Sequence, residues 1–298
     1  MSYRIRRGEP LRLSVQRIGV EQLESVLDEL TVVGPDRDAV VHQVRLRIKK
    51  LRALLHVVRG GLRRTDRRLA RELRDLGRAL ASARDLRVLE GTTRDLCQAL
   101  PSGDRPALRA ALRAELKQRP PAEAATDVSA LRGSFRRAQE QFRRLKLKAD
   151  DGLLIGGLAR SYRQTSRGLR EATEALTPEA THELRKRAKR LMYQVRLVSH
   201  ACPELLRPLA GLLKSATDEL GVANDHAVLL ATLGPRLKGP ARKAVRVAAD
   251  ERQTELRTAA IARLRIVLAE SPSAFRDRVE RYWSLWDGNP RDSEDEGA

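Results

Sequence analysis

The chain has 298 residues, of which 59 are Lys or Arg and 39 are Asp or Glu, so its formal net charge is +20. Aromatic residues make up only 3 %, whereas helix-forming Leu, Ala and Arg are abundant, and this composition favours an all-α fold over a β-rich one. No run of 18 uncharged apolar residues occurs, and the first residues lack the apolar segment of a secretion signal, so we expect no membrane partner and a cytoplasmic protein.

Helix-breaking and helix-capping residues divide the chain into about ten predicted helices without a convincing strand. The first helix is expected over residues 11–31. The clearest helix start is at Thr177, a good N-cap residue, because Pro178 suits the first helical position and the acid Glu179 follows in the first turn. The predicted breaks fall at residues 32–38, 59–66, 100–106, 118–127, 151–157, 233–240 and 270–275.

An internal repeat organises these helices. A shift of 140 residues aligns 42–89 with 182–229 without a gap. Shared helix composition explains scattered Leu and Arg matches, but each copy also has a histidine at its start and an aspartate 43 residues later, which indicates duplication. We therefore predict two similar helical units related by an approximate two-fold axis.

The opening helix of each copy has a basic face and an apolar face, because successive helical residues turn by about 100°. The basic stripes are His42, Arg45, Lys49, Arg52 and His56 in the first copy, and His182, Arg185, Lys189, Tyr193, Arg196 and His200 in the second. The apolar faces hold Val44, Ile48, Leu51, Leu55 and Val58, and Leu184, Ala188, Leu191, Val195 and Val198. Each stripe extends roughly 20–27 Å, which suits a linear polymer better than a single phosphate group.

The stripes lack acids that would compensate their charge. No Asp or Glu occurs from Val44 to Arg59 or from Leu184 to Cys202. Because neighbouring like charges destabilise a helix, we expect a bound polyanion to supply the counter-charge, with the two stripes as paired walls of one site. Inorganic polyphosphate, nucleic acid and an anionic membrane are the candidate ligands, and a solvated Arg-rich surface is the alternative.

The matched acids Asp85 and Asp225 each follow a predicted helix break, the second at Leu220-Gly221. We expect them to support the site by capping a helix or by pairing with a stripe arginine. No second carboxylate accompanies them at helical spacing, and neither Cys97 nor Cys202 has metal-ligand spacing. The sequence therefore predicts no metal ion and no cofactor.

The segments HQVRLRIKKLR (42–52) and HELRKRAKRLMY (182–193), followed later by ARD and LGVAND, resemble the two repeats of the CHAD domain, the conserved histidine α-helical domain. The resemblance covers about residues 10–286 and implies two antiparallel four-helix bundles with pseudo-two-fold symmetry around a basic central channel. It also implies binding of inorganic polyphosphate and association with polyphosphate granules. Met192 stands where the family has a basic residue, which predicts a weaker second wall unless Arg196 compensates.

We predict that residues 1–120 form the first helical-bundle repeat, 121–286 the second, and 287–298 an acidic disordered tail. The predicted function is non-enzymatic polyphosphate binding. Nonspecific nucleic-acid binding is the first alternative, although aromatic residues for base stacking are sparse on the stripes, and weak binding of this kind is expected anyway. An enzyme that processes polyphosphate or triphosphate is the second, although the sequence lacks a Walker loop, clustered acids for Mg²⁺ and a Ser/His/Asp triad.

The residues assigned to this site combine the stripes with the motif. The predicted polyphosphate-binding residues are His42, Arg45, Lys49, Lys50, Arg52, His182, Arg185, Lys186, Lys189, Arg190, Tyr193 and Arg196. Asp85 and Asp225 are expected to orient them, and no residue is assigned a catalytic or metal-binding role.

Overall fold

The protein, seen here in a computed structural model, is built from α-helices. The structure describes residues 3–31, 37–80, 82–118, 128–148, 152–175 and 177–288, with side chains for all of these except 37–38, 82–85 and 128–130. The helices are α1 (Leu11–Glu29), α2 (Arg37–Val57), α3 (Arg67–Ala79), α4 (Ser82–Ala99), α5 (Arg105–Gln118), α6 (Val128–Arg143), α7 (Leu153–Ala175), α8 (Pro178–Val198), α9 (Pro203–Leu233), α10 (Gly239–Val267) and α11 (Pro272–Gly288). Within these residues the one β-type pairing is an isolated antiparallel bridge between Leu62 and Leu147. The predicted all-α class is confirmed.

Two predicted boundaries fall largely outside the described residues. The division between the repeats at residues 120 and 121 lies within 119–127, and 289–298 make up nearly all of the predicted acidic tail. Helix α11 itself continues through Gly288. The domain division therefore stays a prediction.

Local sequence signals place the start of α8 correctly. The side chain of Thr177 accepts a hydrogen bond from the backbone N–H of Ala180 at 3.2 Å, which satisfies one of the donors at the helix N-terminus. Pro178 is the first helical residue, and Glu179 lies in the first turn, where its charge is favourable. This helix carries the second basic stripe, so its first residue determines where along the helix each stripe residue lies.

The apolar faces of α2 and α8 are buried, as the helical periodicity predicts. Val44 and Leu51 on α2 and Leu184 and Val195 on α8 are each 0 % exposed. They belong to a large core that also contains residues of α1, α3, α6, α7, α11, the first part of α9 and the end of α10. A smaller core joins α4 and α5 to the second part of α9 and the beginning of α10. Burying one face leaves the basic faces of α2 and α8 for polar contacts.

The helix pairings recur in the two halves of the chain. Helix α2 packs against α1 and α3, and α8 packs against α7 and α9. Likewise α1 packs against α6, and α7 packs against α11. Helices α2 and α8 also contact each other, so the two basic helices lie at a junction between the halves.

The second copy lacks the helix break that the sequence predicts at Leu220-Gly221. Helix α9 runs without interruption from Pro203 to Leu233, whereas the corresponding part of the first copy is divided between α3 and α4. Asp225 therefore lies inside a helix and cannot cap one, so the capping alternative is wrong for Asp225, and pairing with a stripe arginine stays a prediction. Glycine in a helix interior costs only about 0.5–1 kcal/mol, and burial of the α9 face exceeds this cost.

Membrane insertion of a single helix finds no support in the structure. Among the described residues, none of the helices combines the length and the apolarity needed to cross a lipid bilayer.

Candidate polyanion-binding site

Two arginines at equivalent positions of the repeat make equivalent contacts. Arg45 on α2 donates from Nη1 to the backbone carbonyl of Gly77 at 2.7 Å. Arg185 on α8 donates from Nε to the carbonyl of Thr217 at 3.1 Å, and both acceptors lie 32 residues after their arginine. Gly221 makes room for this contact, because a Cβ atom there would lie 2.7 Å from Arg185 Nη2. The matched contacts support the duplication and hold both guanidinium groups against the following helix.

A second matched pair of arginines joins each stripe helix to the helix before it. Arg47 Nη2 lies 2.7 Å from Glu29 Oε1, which belongs to α1. Arg187 Nη1 lies 2.7 Å from Glu171 Oε2, which belongs to α7. Neighbouring helices thus supply some of the acid that the local sequence lacks, and these two arginines act in helix packing.

The second halves of α2 and α8 contact each other through polar side chains. Gln194 donates from Nε2 to the backbone carbonyl of Ala53 at 3.1 Å. Arg190 Nη1 lies 3.0 Å from His56 Nε2. Residue numbers on α8 fall as those on α2 rise, so the two helices run antiparallel where they cross.

This crossing separates the two motif histidines. Ala53 and Tyr193 are equivalent positions at the crossing, each eleven residues after its histidine. At a rise of 1.5 Å per residue, His42 and His182 lie roughly 16 Å from the crossing in opposite directions, and therefore roughly 20–35 Å apart. The prediction that the two stripes form paired walls of one binding site stays a prediction. Their second halves meet, and their histidine ends point away from each other.

His56 is an uncharged acceptor at this crossing. Burial, followed by the positive charges of Arg190, Arg59 and Arg160, lowers the pKa of His56 to about 3. The imidazole is therefore neutral at physiological pH, and its Nε2 accepts the hydrogen bond from Arg190. Gln164 Oε1 accepts a second hydrogen bond from the same Nη1 at 3.2 Å. These two neutral acceptors orient the guanidinium group without cancelling its charge.

Cations from three helices lie near one another, starting from Arg190 beside His56. Burial, and then the charge of Arg52, lowers the pKa of Arg190. Burial, and then the charges of Arg74 and Arg78, lowers the pKa of Arg52. We call these four residues, from α2, α3 and α8, the arginine cluster. Arg74 and Arg190 are partly buried and Arg52 and Arg78 are exposed, and like charges held together in this way favour binding of an anion.

A second group of neighbouring cations includes Lys50 on α2 and Arg196 on α8. Burial lowers the pKa of Lys50, with further contributions from the charges of Arg47 and Arg196. The Lys50 ammonium also lies 5.6 Å from the centre of the Tyr3 ring, within the range of a cation–π interaction. Lys50 and Arg196 therefore bring positive charge from α2 and α8 together a second time.

Two lysines of α8 that were assigned to the site have acidic partners. Lys189 Nζ lies 3.3 Å from Asp218 Oδ1 on α9, and Lys186 Nζ lies 2.6 Å from Glu183 Oε1 on its own helix. The prediction that the positive charge of this helix lacks acidic partners within the protein is wrong at these two positions. Asp218 lies outside the acid-free segment of the sequence, and the packing of α8 against α9 brings it next to Lys189.

The motif histidines have different surroundings. His42 is exposed on α2. His182 is partly buried on α8, near Asn224 on α9. Burial, followed by the charges of Lys186 and Arg185, lowers the pKa of His182, so it is neutral at physiological pH.

Tyr193 does not lie on the exposed basic stripe, so this part of the prediction is wrong. Its side chain is 2 % exposed, and its ring meets the ring of Tyr3 edge-on at 6.5 Å between centroids. The physical reason is tertiary packing near the helix crossing, where Tyr3 from the segment before α1 lies against this ring. Of the two supporting acids, Asp225 is partly exposed on α9, and the Asp85 side chain lies outside the described residues.

The prediction from sequence omitted Arg74, Arg78 and His56 from the site. The two arginines have the four-residue spacing of one helix face, but they lie among acids in the sequence and were not distinguished from a solvated surface. His56 has no histidine counterpart in the second copy, where Arg196 is equivalent. Throughout the described residues, no group of three or more His, Cys, Asp or Glu side chains is arranged to hold a metal ion.

Comparison with known proteins agrees with the repeat and its motif. A search of curated proteins finds no match to the chain. A family model described as the CHAD domain matches residues 18–234, a range that runs from within α1 just past the end of α9. This match covers most of the sequence, and the chain therefore belongs to the CHAD domain family.

Proposed function

We propose that the protein binds inorganic polyphosphate without acting on it, along the arginine cluster and the neighbouring cations Lys50 and Arg196. The observation that carries this proposal is the crossing of α2 and α8, where Arg190 Nη1 lies 3.0 Å from His56 Nε2 and cations from both copies of the repeat lie near one another. A polymer with a negative charge on each phosphate unit would relieve the repulsion within both groups of cations. Membership of the CHAD domain family is consistent with this ligand.

The chemistry of the side chains supports phosphate as the recognised group. Arg52, Arg74, Arg78 and Arg190 offer planar forks of donors that match two phosphate oxygens at once. Such donors need no base or sugar to bind. The buried Tyr193 leaves the stripes without the stacking residue that would favour a nucleic acid.

We also propose that the two repeats form two symmetry-related helical bundles. The matched contacts of Arg45 with Gly77 and Arg185 with Thr217 support two helical bundles related by pseudo-two-fold symmetry about the crossing. A basic channel would then run between the bundles along that crossing. We further propose a cytoplasmic protein that associates with polyphosphate granules.

Competition between two polyanions tests the proposed ligand. At equal concentrations of charge, long-chain polyphosphate is expected to displace labelled duplex DNA from the protein, since the site offers phosphate contacts but no base contacts. Fluorescence anisotropy of the DNA measures this displacement. Polyphosphate incubated with the protein and Mg²⁺ should keep its chain length on a gel. Retention of the DNA would contradict the proposed ligand, and shortening of the polyphosphate would contradict a purely binding role.

A further inference from the structure

The two copies of the repeat differ in charge at positions that the shift of 140 residues makes equivalent. The first copy has arginine at 52, 74 and 78 and aspartate at 75. The second copy has Met192, Lys214, Asp218 and Ser215 at the corresponding positions. These four positions carry a net charge of two in the first copy and none in the second.

In the first copy the arginines remain available to an external anion. Arg74 Nε and Arg78 Nη1 share one carboxylate oxygen of Asp75, at 3.4 and 3.7 Å. The Asp75 side chain is 60 % exposed and that of Arg78 is 72 % exposed. Exposed ion pairs of this kind contribute little free energy, so a polyanion can replace Asp75 as the partner.

In the second copy an acid occupies the place of Arg78. Asp218 lies with Oδ1 3.3 Å from Lys189 Nζ and with Oδ2 2.7 Å from Lys214 Nζ. Met192, at the position of Arg52, is 2 % exposed and offers no charge. A phosphate chain that followed this part of α8 would meet a carboxylate already bound to the two lysines.

We infer that the two copies bind polyphosphate unequally, with the chain held on the first-copy side by Arg52, Arg74 and Arg78 while Asp218 competes with it for Lys189 and Lys214 on the second-copy side. This inference rests on the proposed function. Arg190 joins the two sides, because it comes from the second copy and lies in the arginine cluster. Asp218 thus limits how far the ligand extends along the second stripe.

Reciprocal substitutions test this inequality. Arg78→Asp gives the first copy the acid of the second, and it is expected to weaken the binding of long-chain polyphosphate about tenfold through loss of a charged hydrogen bond. Asp218→Arg gives the second copy the arginine of the first and is expected to strengthen binding by a similar factor of about ten. Asp218→Asn releases both lysines without adding a cation and should strengthen binding by a smaller factor. Isothermal titration calorimetry measures all three, and thermal unfolding checks that each variant folds.

Matched controls separate a local effect from overall charge. Arg246→Asp and Asp250→Arg change the charge equally at an exposed ion pair of 3.6 Å on α10, and each should change affinity less than its counterpart in the site. Binding that weakens or stays the same in both Asp218 variants overturns the inference, as does full affinity in Arg78→Asp. If the unmodified protein does not bind polyphosphate, both the proposed function and this inference fail. If it binds and the reciprocal variants have the same affinity, only this inference fails.

Discussion

Replacing Arg52 and Arg190 by alanine together is expected to weaken polyphosphate binding about a hundredfold, with about tenfold from each single change, because hydrogen bonds to charged groups contribute about 1.5–3 kcal/mol. The two residues come from different copies of the repeat, yet the charge of one lowers the pKa of the other. A phosphate chain on the arginine cluster would contact both. Titration of the four proteins of this double-mutant cycle with long-chain polyphosphate gives the individual and combined losses.

The salt dependence of the same titrations reports the number of ionic contacts. With the slope of about 0.7 per phosphate contact that holds for single-stranded nucleic acid, loss of two contacts is expected to reduce the steepness of log affinity against log salt concentration by about 1.4. Arg265→Ala with Arg281→Ala removes two exposed arginines from α10 and α11 and serves as the control of equal charge. A double variant of Arg52 and Arg190 with the affinity and slope of this control would show that the ligand binds elsewhere.

Replacing Gly157 by alanine is expected to destabilise the fold by about 3 kcal/mol, near the upper end of the usual cost of overpacking. A Cβ atom at Gly157 on α7 would lie 1.8 Å from the backbone carbonyl oxygen of Val57 on α2. Backbone atoms cannot move aside as a flexible side chain can, so α7 would have to shift from the end of α2. The same helix places Ser161 Oγ 3.4 Å from His56 Nδ1, and the shift should therefore also disturb the site.

The adjacent glycine provides the matched control. A Cβ atom at Gly156 would have no neighbour within 4 Å. Gly156→Ala should leave stability unchanged or raise it by about 0.5–1 kcal/mol, since alanine loses less backbone entropy in a helix. Chemical denaturation of both variants measures the difference. Equal stability of the two would show that α7 does not approach α2 as closely as described.

Properties that depend on one helix could be predicted from the sequence. The 3.6-residue period identified the buried residues Val44 and Leu184, because helix geometry alone decides which side chains share a face. The start of α8 followed from Thr177 and Pro178 for the same reason. Duplication was visible because the gap-free shift preserves both the motif and, in the structure, contacts such as those of Arg45 and Arg185.

Properties that depend on how helices meet could not be predicted in this way. Tyr193 shares the angular range of the basic stripe, but it is buried, and its ring packs against Tyr3 from the segment before α1. Lys189 seemed uncompensated because its partner, Asp218, is 29 residues away on another helix. The antiparallel crossing also determines that α2 and α8 meet at His56 and Arg190 instead of at the motif histidines. The residues of a single helix do not determine how that helix crosses its neighbour, so this contact could not be predicted from the sequence.

The most direct test of the binding site is a crystal structure of the protein with a defined polyphosphate long enough to span the crossing of α2 and α8. We expect continuous density for a phosphate chain that contacts Arg52 and Arg190 together. Density confined to another basic face, such as Arg109 and Arg113 on α5, would contradict it.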